Sequence, residues 1–130
     1  MTKVICADDC GNAPRKALLR DFNIAFAKNN AEAVLEQVSD DIVWNMVGDR
    51  VIRGRADVAT ALQEMAAQGQ ATELRIDHII THGTEAALDG VMSFEGGQRV
   101  AFCDVYVFSG HTKTARIKEM ISYTKELPVA

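Results

Sequence analysis

The stretch Val100-Ala-Phe-Cys-Asp-Val-Tyr-Val-Phe108 constrains the fold more than any other part of the chain. At the two-residue period of a strand, one face carries Val100, Phe102, Asp104, Tyr106 and Phe108; the other carries Ala101, Cys103, Val105 and Val107. Both faces are apolar, so the strand has to be covered on both sides. Asp104 is then a carboxylic acid in the middle of an apolar strand. An ionised carboxylate there is expensive unless it is paired, hydrogen-bonded or protonated. Such a group is either tied into the structure or used for chemistry through a shifted pKa.

The elements around it predict an α+β fold. Pro14, two residues after Asn12, starts a helix whose apolar face is Leu18, Phe22, Ala25 and Phe26, running to about Lys28. Asn29-Asn30 breaks it, and 31–38 supports a shorter helix. Strand 42–47 and the short 50–53 follow, joined by a Gly48-Asp49 turn. A third amphipathic helix runs from Gly54 to about Gln68, closed by Gly69. Four longer strands come last, at about 72–82, 85–95, 98–108 and 113–126, with glycines in the turns between them. Helices followed by a meander place the helices on one side of a curved sheet, with a hollow between the two layers. The 130 residues read as a single domain, 1–130, with 1–12 an N-terminal extension.

Bulk properties exclude several functions. A net charge of -4 with no long basic run argues against nucleic acid as a partner. No apolar stretch approaches the roughly 20 residues of a membrane span, so a membrane partner is not expected. Acids in Met1–Asp9 stand where a signal peptide needs apolar residues, and three cysteines suggest free thiols, which together predict a cytoplasmic protein. Cys6 and Cys10 with His78 and His82 have poor metal-ligand spacing, and no glycine cluster leads from a strand into a helix as a phosphate loop does. Neither a metal nor a cofactor is expected.

The pieces Ser39-Asp-Asp-Ile-Val-Trp44, Ile52-Arg-Gly-Arg55, Cys103-Asp-Val-Tyr-Val-Phe108 and Arg116-Ile-Lys-Glu-Met-Ile-Ser-Tyr123 resemble the nuclear transport factor 2-like superfamily. That superfamily includes ketosteroid isomerases and SnoaL-like polyketide cyclases. The resemblance implies a cone-shaped α+β barrel, three helices on a strongly curved, mostly antiparallel sheet, around an apolar pocket. Carried onto this chain, the isomerase site puts Asp104 at its protonated-acid position, Phe22 at its helix tyrosine and Met46 at its base. Two of the three groups are therefore replaced, and steroid isomerisation is disfavoured. In this family the convex face of the sheet is where subunits meet. Val105, Val107, Ile117 and Ile121, read as outward-facing, agree with a homodimer there.

Other residues are weighed against Asp104. Leu74, Ile76, His78, Ile80 and His82 alternate onto one face of 72–82, which makes His78 a candidate proton-transfer partner or a core histidine. Lys118, Met120 and Ser122 fall on the face that lines the pocket in the family, so Lys118 can pair with Asp104, Met120 can line the pocket and Ser122 can donate one hydrogen bond. Asp89 faces Asp104 if Gly96-Gly97 makes a two-residue hairpin. A three-residue loop, the favoured alternative, turns Leu88 and Met92 inward and Asp89 out. Candidate catalytic residues are thus Asp104 and His78; candidate ligand contacts are Phe22, Trp44, Met46, Met92, Phe102, Tyr106, Lys118, Met120 and Ser122. Two functions stay open: acid/base chemistry on a small apolar or carbonyl-containing molecule, and a non-catalytic ligand-binding or dimerising domain.

Overall fold

A computed structural model describes residues 1–7 and 13–128. Asn12 and Cys10, read as a helix start and a weak metal-ligand candidate, lie outside the described residues. Three helices, α1 (Pro14–Ala27), α2 (Ala31–Glu36) and α3 (Arg55–Ala66), pack on one side of a seven-stranded sheet. The strands are β1 (Lys3–Cys6), β2 (Val38–Met46), β3 (Arg50–Arg53), β4 (Glu73–His82), β5 (Glu85–Ser93), β6 (Arg99–Phe108) and β7 (Ile117–Leu127). The sheet is open, in the order β1-β4-β5-β6-β7-β2-β3, and antiparallel except for the β1–β4 and β2–β7 pairs. The α+β class is as expected; the sheet curves without closing on itself.

Local chemistry sets the helix ends. Proline opens α1, where its missing N–H is no loss. Asn29 ends it at a positive φ of 60°, a conformation asparagine tolerates better than most residues. Asn30 caps α2 by accepting from the Ala33 N–H at 3.2 Å. Leu19, Phe22 and Ala25 of α1 join Val58 and Leu62 of α3 in one core with Leu74, Leu88, Tyr106, Ile117 and Met120 of the sheet.

Lys3–Cys6, read as part of an extension, is a strand. It runs parallel to β4, and Thr2 Oγ1 donates to the Ala71 carbonyl at 2.7 Å. Cys6 is disulfide-bonded, so the expectation of free thiols holds for Cys103 and not for Cys6. Among the described residues no helix is long and apolar enough to cross a membrane.

Two bulges change which way side chains point. In β4, Ile76 pairs with Gly90 and His78 with Asp89, which leaves Asp77 as an extra residue. In β7, Ile117 pairs with Phe108 and Glu119 with Val107, so Lys118 is the extra residue. Each insertion shifts the inside-outside alternation by one position. Strict alternation, assumed in reading the sequence, breaks at both places.

Candidate functional site

Between the helices and the concave face of the sheet lies a cavity of about 420 Å³. Phe22, Trp44, Met46, Met92, Phe102, Met120, Ser122 and Asp104 all line it. Each comes from the inner face of its element: Phe22 from α1, Trp44 and Met46 from β2, Met92 from β5, Phe102 and Asp104 from β6, Met120 and Ser122 from β7. Four of the chain's five methionines (Met46, Met65, Met92 and Met120) are on this wall, a soft and adaptable lining.

Asp104 is the polar centre of the cavity. Tyr106, two residues along the same face, donates its hydroxyl to Asp104 Oδ2 at 3.1 Å. Tyr106 is fully buried, edge-on to Phe22, and stands behind Asp104 rather than on the cavity wall. Its oxygen accepts from Asn23 Nδ2 at 3.0 Å, and the same nitrogen donates to the Leu19 carbonyl at 2.9 Å. Across the ladder Asp104 is directly opposite Ser122, whose hydroxyl helps to hold its carboxyl down. Ser122 Oγ in turn accepts from Trp44 Nε1 at 2.9 Å. Burial pushes the Asp104 carboxyl up to about 6, against the lowering pull of the Ser122 and Tyr106 hydroxyls. Burial, then the Asp104 charge, also drives the Tyr106 hydroxyl well above its usual range, so it stays protonated.

His78 and Lys118 are elsewhere. The bulge at Asp77 puts His78 on the outer face with its side chain 69% exposed, where Nδ1 meets Asp89 Oδ1 at 2.8 Å. The bulge at Lys118 leaves that side chain in solvent and turns Ile117 into the core. Among the described residues Asp104 therefore has no lysine partner. Asp89 pairs across β6 with Cys103, and Leu88 with Asp104, because Glu95-Gly96-Gly97 forms a three-residue loop closed by Phe94 N–H to the Gln98 carbonyl at 2.8 Å. The two carboxylates are on opposite faces, the register favoured above, and they form no dyad. Burial first, then Asp89 and Asp104, raise the Cys103 thiol, which makes it a poor nucleophile. No group of His, Cys, Asp or Glu suited to a metal is present among the described residues.

Reading the sequence missed polar Asn23, Asp49, Gln68 and Thr124 on the cavity wall, and apolar Phe26, Val47, Met65, Phe94 and Val100. Asn23 had a signal: it interrupts the apolar series Leu19, Phe22 and Phe26 at helical spacing, and a polar residue in such a stripe needs a buried partner. A second hollow of about 440 Å³, at the start of α1 by His82, Gly83 and His111, contains none of the candidate residues.

A family profile described as the SnoaL-like domain matches residues 19–119. Among solved structures, an NTF2-like protein of unknown function from Cytophaga hutchinsonii is similar, with 24% identity and a TM-score of 0.65 over 84% of this chain and 97% of that one. A second NTF2-like protein of unknown function, from Burkholderia xenovorans, has 14% identity and a TM-score of 0.72 over 94% and 90%. A proposed SnoaL-like polyketide cyclase from Shewanella denitrificans has 13% identity and a TM-score of 0.70 over 85% and 89%. At these identities the likeness is one of fold. No curated protein matches the sequence.

Proposed function

The chain belongs to the SnoaL-like domain family, and on that premise we propose that it binds a small, largely apolar, carbonyl-containing molecule in the Asp104 cavity and moves a proton on it. The observation that carries this reading is a carboxyl pushed to about 6 on the wall of an apolar cavity. A group that titrates close to neutrality takes and returns a proton with little loss either way. The cavity volume is within the range of small-molecule sites, roughly 300–1,000 Å³.

Asp104 works alone in this scheme. Its carboxylate takes a proton from the carbon beside the substrate carbonyl, the C–H electron pair forms a C=C bond as the carbonyl π pair moves onto oxygen, and the carboxylic acid returns the proton to another atom of the same molecule. Phe22 and Met46, at the positions of the isomerase's tyrosine and base, both line the cavity as apolar groups, which disfavours a two-carboxylate steroid isomerisation. Thr124 and Gln68 are the lining side-chain donors not already engaged, and they are the groups available to the developing oxyanion.

The second reading is ligand binding without turnover, favoured by the apolar Phe22 and Met46 on the wall where the isomerase has its tyrosine and base. Isothermal titration with a panel of cyclic ketones, and NMR of α-proton exchange into D₂O, separates the two. Binding with exchange that Asp104→Asn abolishes supports the enzyme. Binding without exchange supports the carrier, and no binding to either protein removes both.

The outer face supports a homodimer as part of the same proposal. Ile80, Ala87, Val105 and Ile121 make one apolar row across four strands, with Ile80 63% and nearby Tyr123 49% exposed. Ile117 leaves the set predicted from sequence, since it is buried. Two-fold symmetry would cover the same patch on each copy. Val105→Glu should yield monomers in light scattering, and a stable wild-type monomer at tens of micromolar, roughly where weak contacts dissociate, would rule the dimer out.

A further inference from the structure

Two hydrogen-bond relays converge on Asp104, and the residues at their far ends determine which way each relay points. The Leu19 carbonyl can only accept, so the Asn23 atom 2.9 Å from it is the amide NH₂. The second hydrogen of that NH₂ goes to Tyr106 Oη at 3.0 Å. Tyr106 therefore accepts from Asn23 and sends its one proton on to Asp104 Oδ2. On the other side Trp44 Nε1 can only donate, and it donates to Ser122 Oγ at 2.9 Å. The Ser122 proton is then free to turn to the Asp104 carboxylate opposite it on the ladder.

We propose that Asn23 and Trp44 are positioning residues, each setting the polarity of one relay so that Asp104 receives two donors from the protein and exchanges its own proton only with the occupant of the cavity. When Asp104 is protonated, the line from its carboxyl to each hydroxyl is already occupied by that hydroxyl's own hydrogen, so the acid hydrogen cannot lie there as well. The acid hydrogen is left to point into the cavity. Removing either end of a relay frees a hydroxyl to reverse, which gives the acid hydrogen a dead-end partner inside the protein.

Among the described residues little else bears on this carboxyl. Across β5 it meets Leu88 and across β7 Ser122. Asn23 and Phe22 face the same cavity from α1, and α3 contributes Met65. Tyr106 is its titratable neighbour on the same strand, Asp49 is the other acid on the cavity wall, and Asp89 and Cys103 belong to the opposite face. The inference rests on the proposed use of this cavity, yet its test needs no ligand.

The test is an NMR titration of the Asp104 side-chain carboxyl, followed together with the Trp44 indole N–H in the wild-type protein. The indole proton is one hydroxyl away from the carboxylate, so its resonance should move with the same midpoint as Asp104. That coupling should vanish in Ser122→Ala. Trp44→Phe and Asn23→Leu should each raise the Asp104 midpoint by about one unit, as expected when a polarised donor to a carboxylate is weakened. An indole signal that ignores the titration, or midpoints unchanged in both variants, would overturn the assignment. Should every ketone fail to bind while the indole still tracks Asp104, the functional reading falls and the positioning roles stand. Ketone exchange with a flat indole signal does the reverse: the positioning roles fall and the functional reading stands.

Discussion

Asp104 and Asp89 are mid-strand acids on neighbouring strands, and the sheet treats them in opposite ways. Asp104 faces inward, receives the Tyr106 hydroxyl, lies opposite Ser122, and is pushed up to about 6 by burial. Asp89, one register position away, faces outward, is 41% exposed and meets a histidine at 2.8 Å. The difference comes from the three-residue loop Glu95–Gly97 and from the pleat, which sends adjacent positions to opposite sides. In one environment desolvation dominates; in the other the carboxylate stays in contact with water, which screens its charge. An acid in a strand is thus made chemically unusual by its side of the sheet and not by its neighbours along the chain.

The largest effect that tests this inside-outside contrast is on the two tyrosines. Tyr106→Ala should lose about 3–5 kcal/mol, the range for deleting a fully buried aromatic ring, because Tyr106 is 0% exposed. Tyr123→Ala, on the outer face, should stay within about 0.5 kcal/mol. Urea denaturation of both variants checks this, and equal losses would erase the contrast. Next is Gly90→Ala, which bears on what holds His78 outside. A Cβ at Gly90 would come within 1.9 Å of the Arg75 carbonyl oxygen, next to the β4 bulge. A backbone collision of this kind should cost about 3 kcal/mol, the upper end for overpacking. A melt of Gly90→Ala as stable as the wild type would mean that the bulge does not depend on this close approach.

Exchanging each acid for its amide gives the smaller effects and the sharper comparison. The folded value of about 6 for Asp104 is above the ordinary 3.8, so the fold favours the neutral acid. Stability associated with this group is therefore greatest below about pH 4, falls as pH rises from about 4 to 6, and stays lowered above that. Asp104→Asn should raise stability at pH 7 by about 2 kcal/mol, less than the full shift implies because the cavity admits water. The gain should disappear near pH 4, and denaturation at both pH values checks the sign. A loss at pH 7 would mean that an unseen favourable partner outweighs desolvation. Asp89→Asn should change stability by no more than about 0.5 kcal/mol at pH 7, as expected of an exposed pair. A larger change would show that the outer face is less solvated than the single chain suggests, which would favour the homodimer.

Much of the architecture was legible in residue patterns. The 3.6-residue period of Leu18, Phe22, Ala25 and Phe26 marks α1, and the two-sided apolar pattern at 100–108 marks β6. Pro14 and Asn29 mark the ends of α1 through their own backbone preferences. The cavity-lining residues at positions 44, 92, 102 and 104 were legible through spacing, which reports the face of an unbroken strand, and those at 22, 46, 120 and 122 through the resemblance to the family. His78, Lys118 and Ile117 were not. Each follows or adjoins a bulge, and a single inserted residue reverses every side chain beyond it without a distinctive residue at the insertion. β1 was hidden for another reason: four residues carry too little periodicity to be seen, and its place depends on the free edge of β4.

What the residues alone determined, then, is much of the chemistry of the inner wall: a mid-strand acid among methionines and aromatics, with Met46 at the family's base position. These are properties of side chains and of local periodicity, which act over a few residues. Tertiary structure alone decided the environment of that acid. The distance from Asn23 to Tyr106 spans 83 positions of sequence, and from Trp44 to Ser122 it spans 78. Whether two such groups meet depends on register, bulges and helix docking summed over the whole fold. Desolvation is set in the same way, because it depends on how many protein atoms, from any part of the chain, replace the water around a charge.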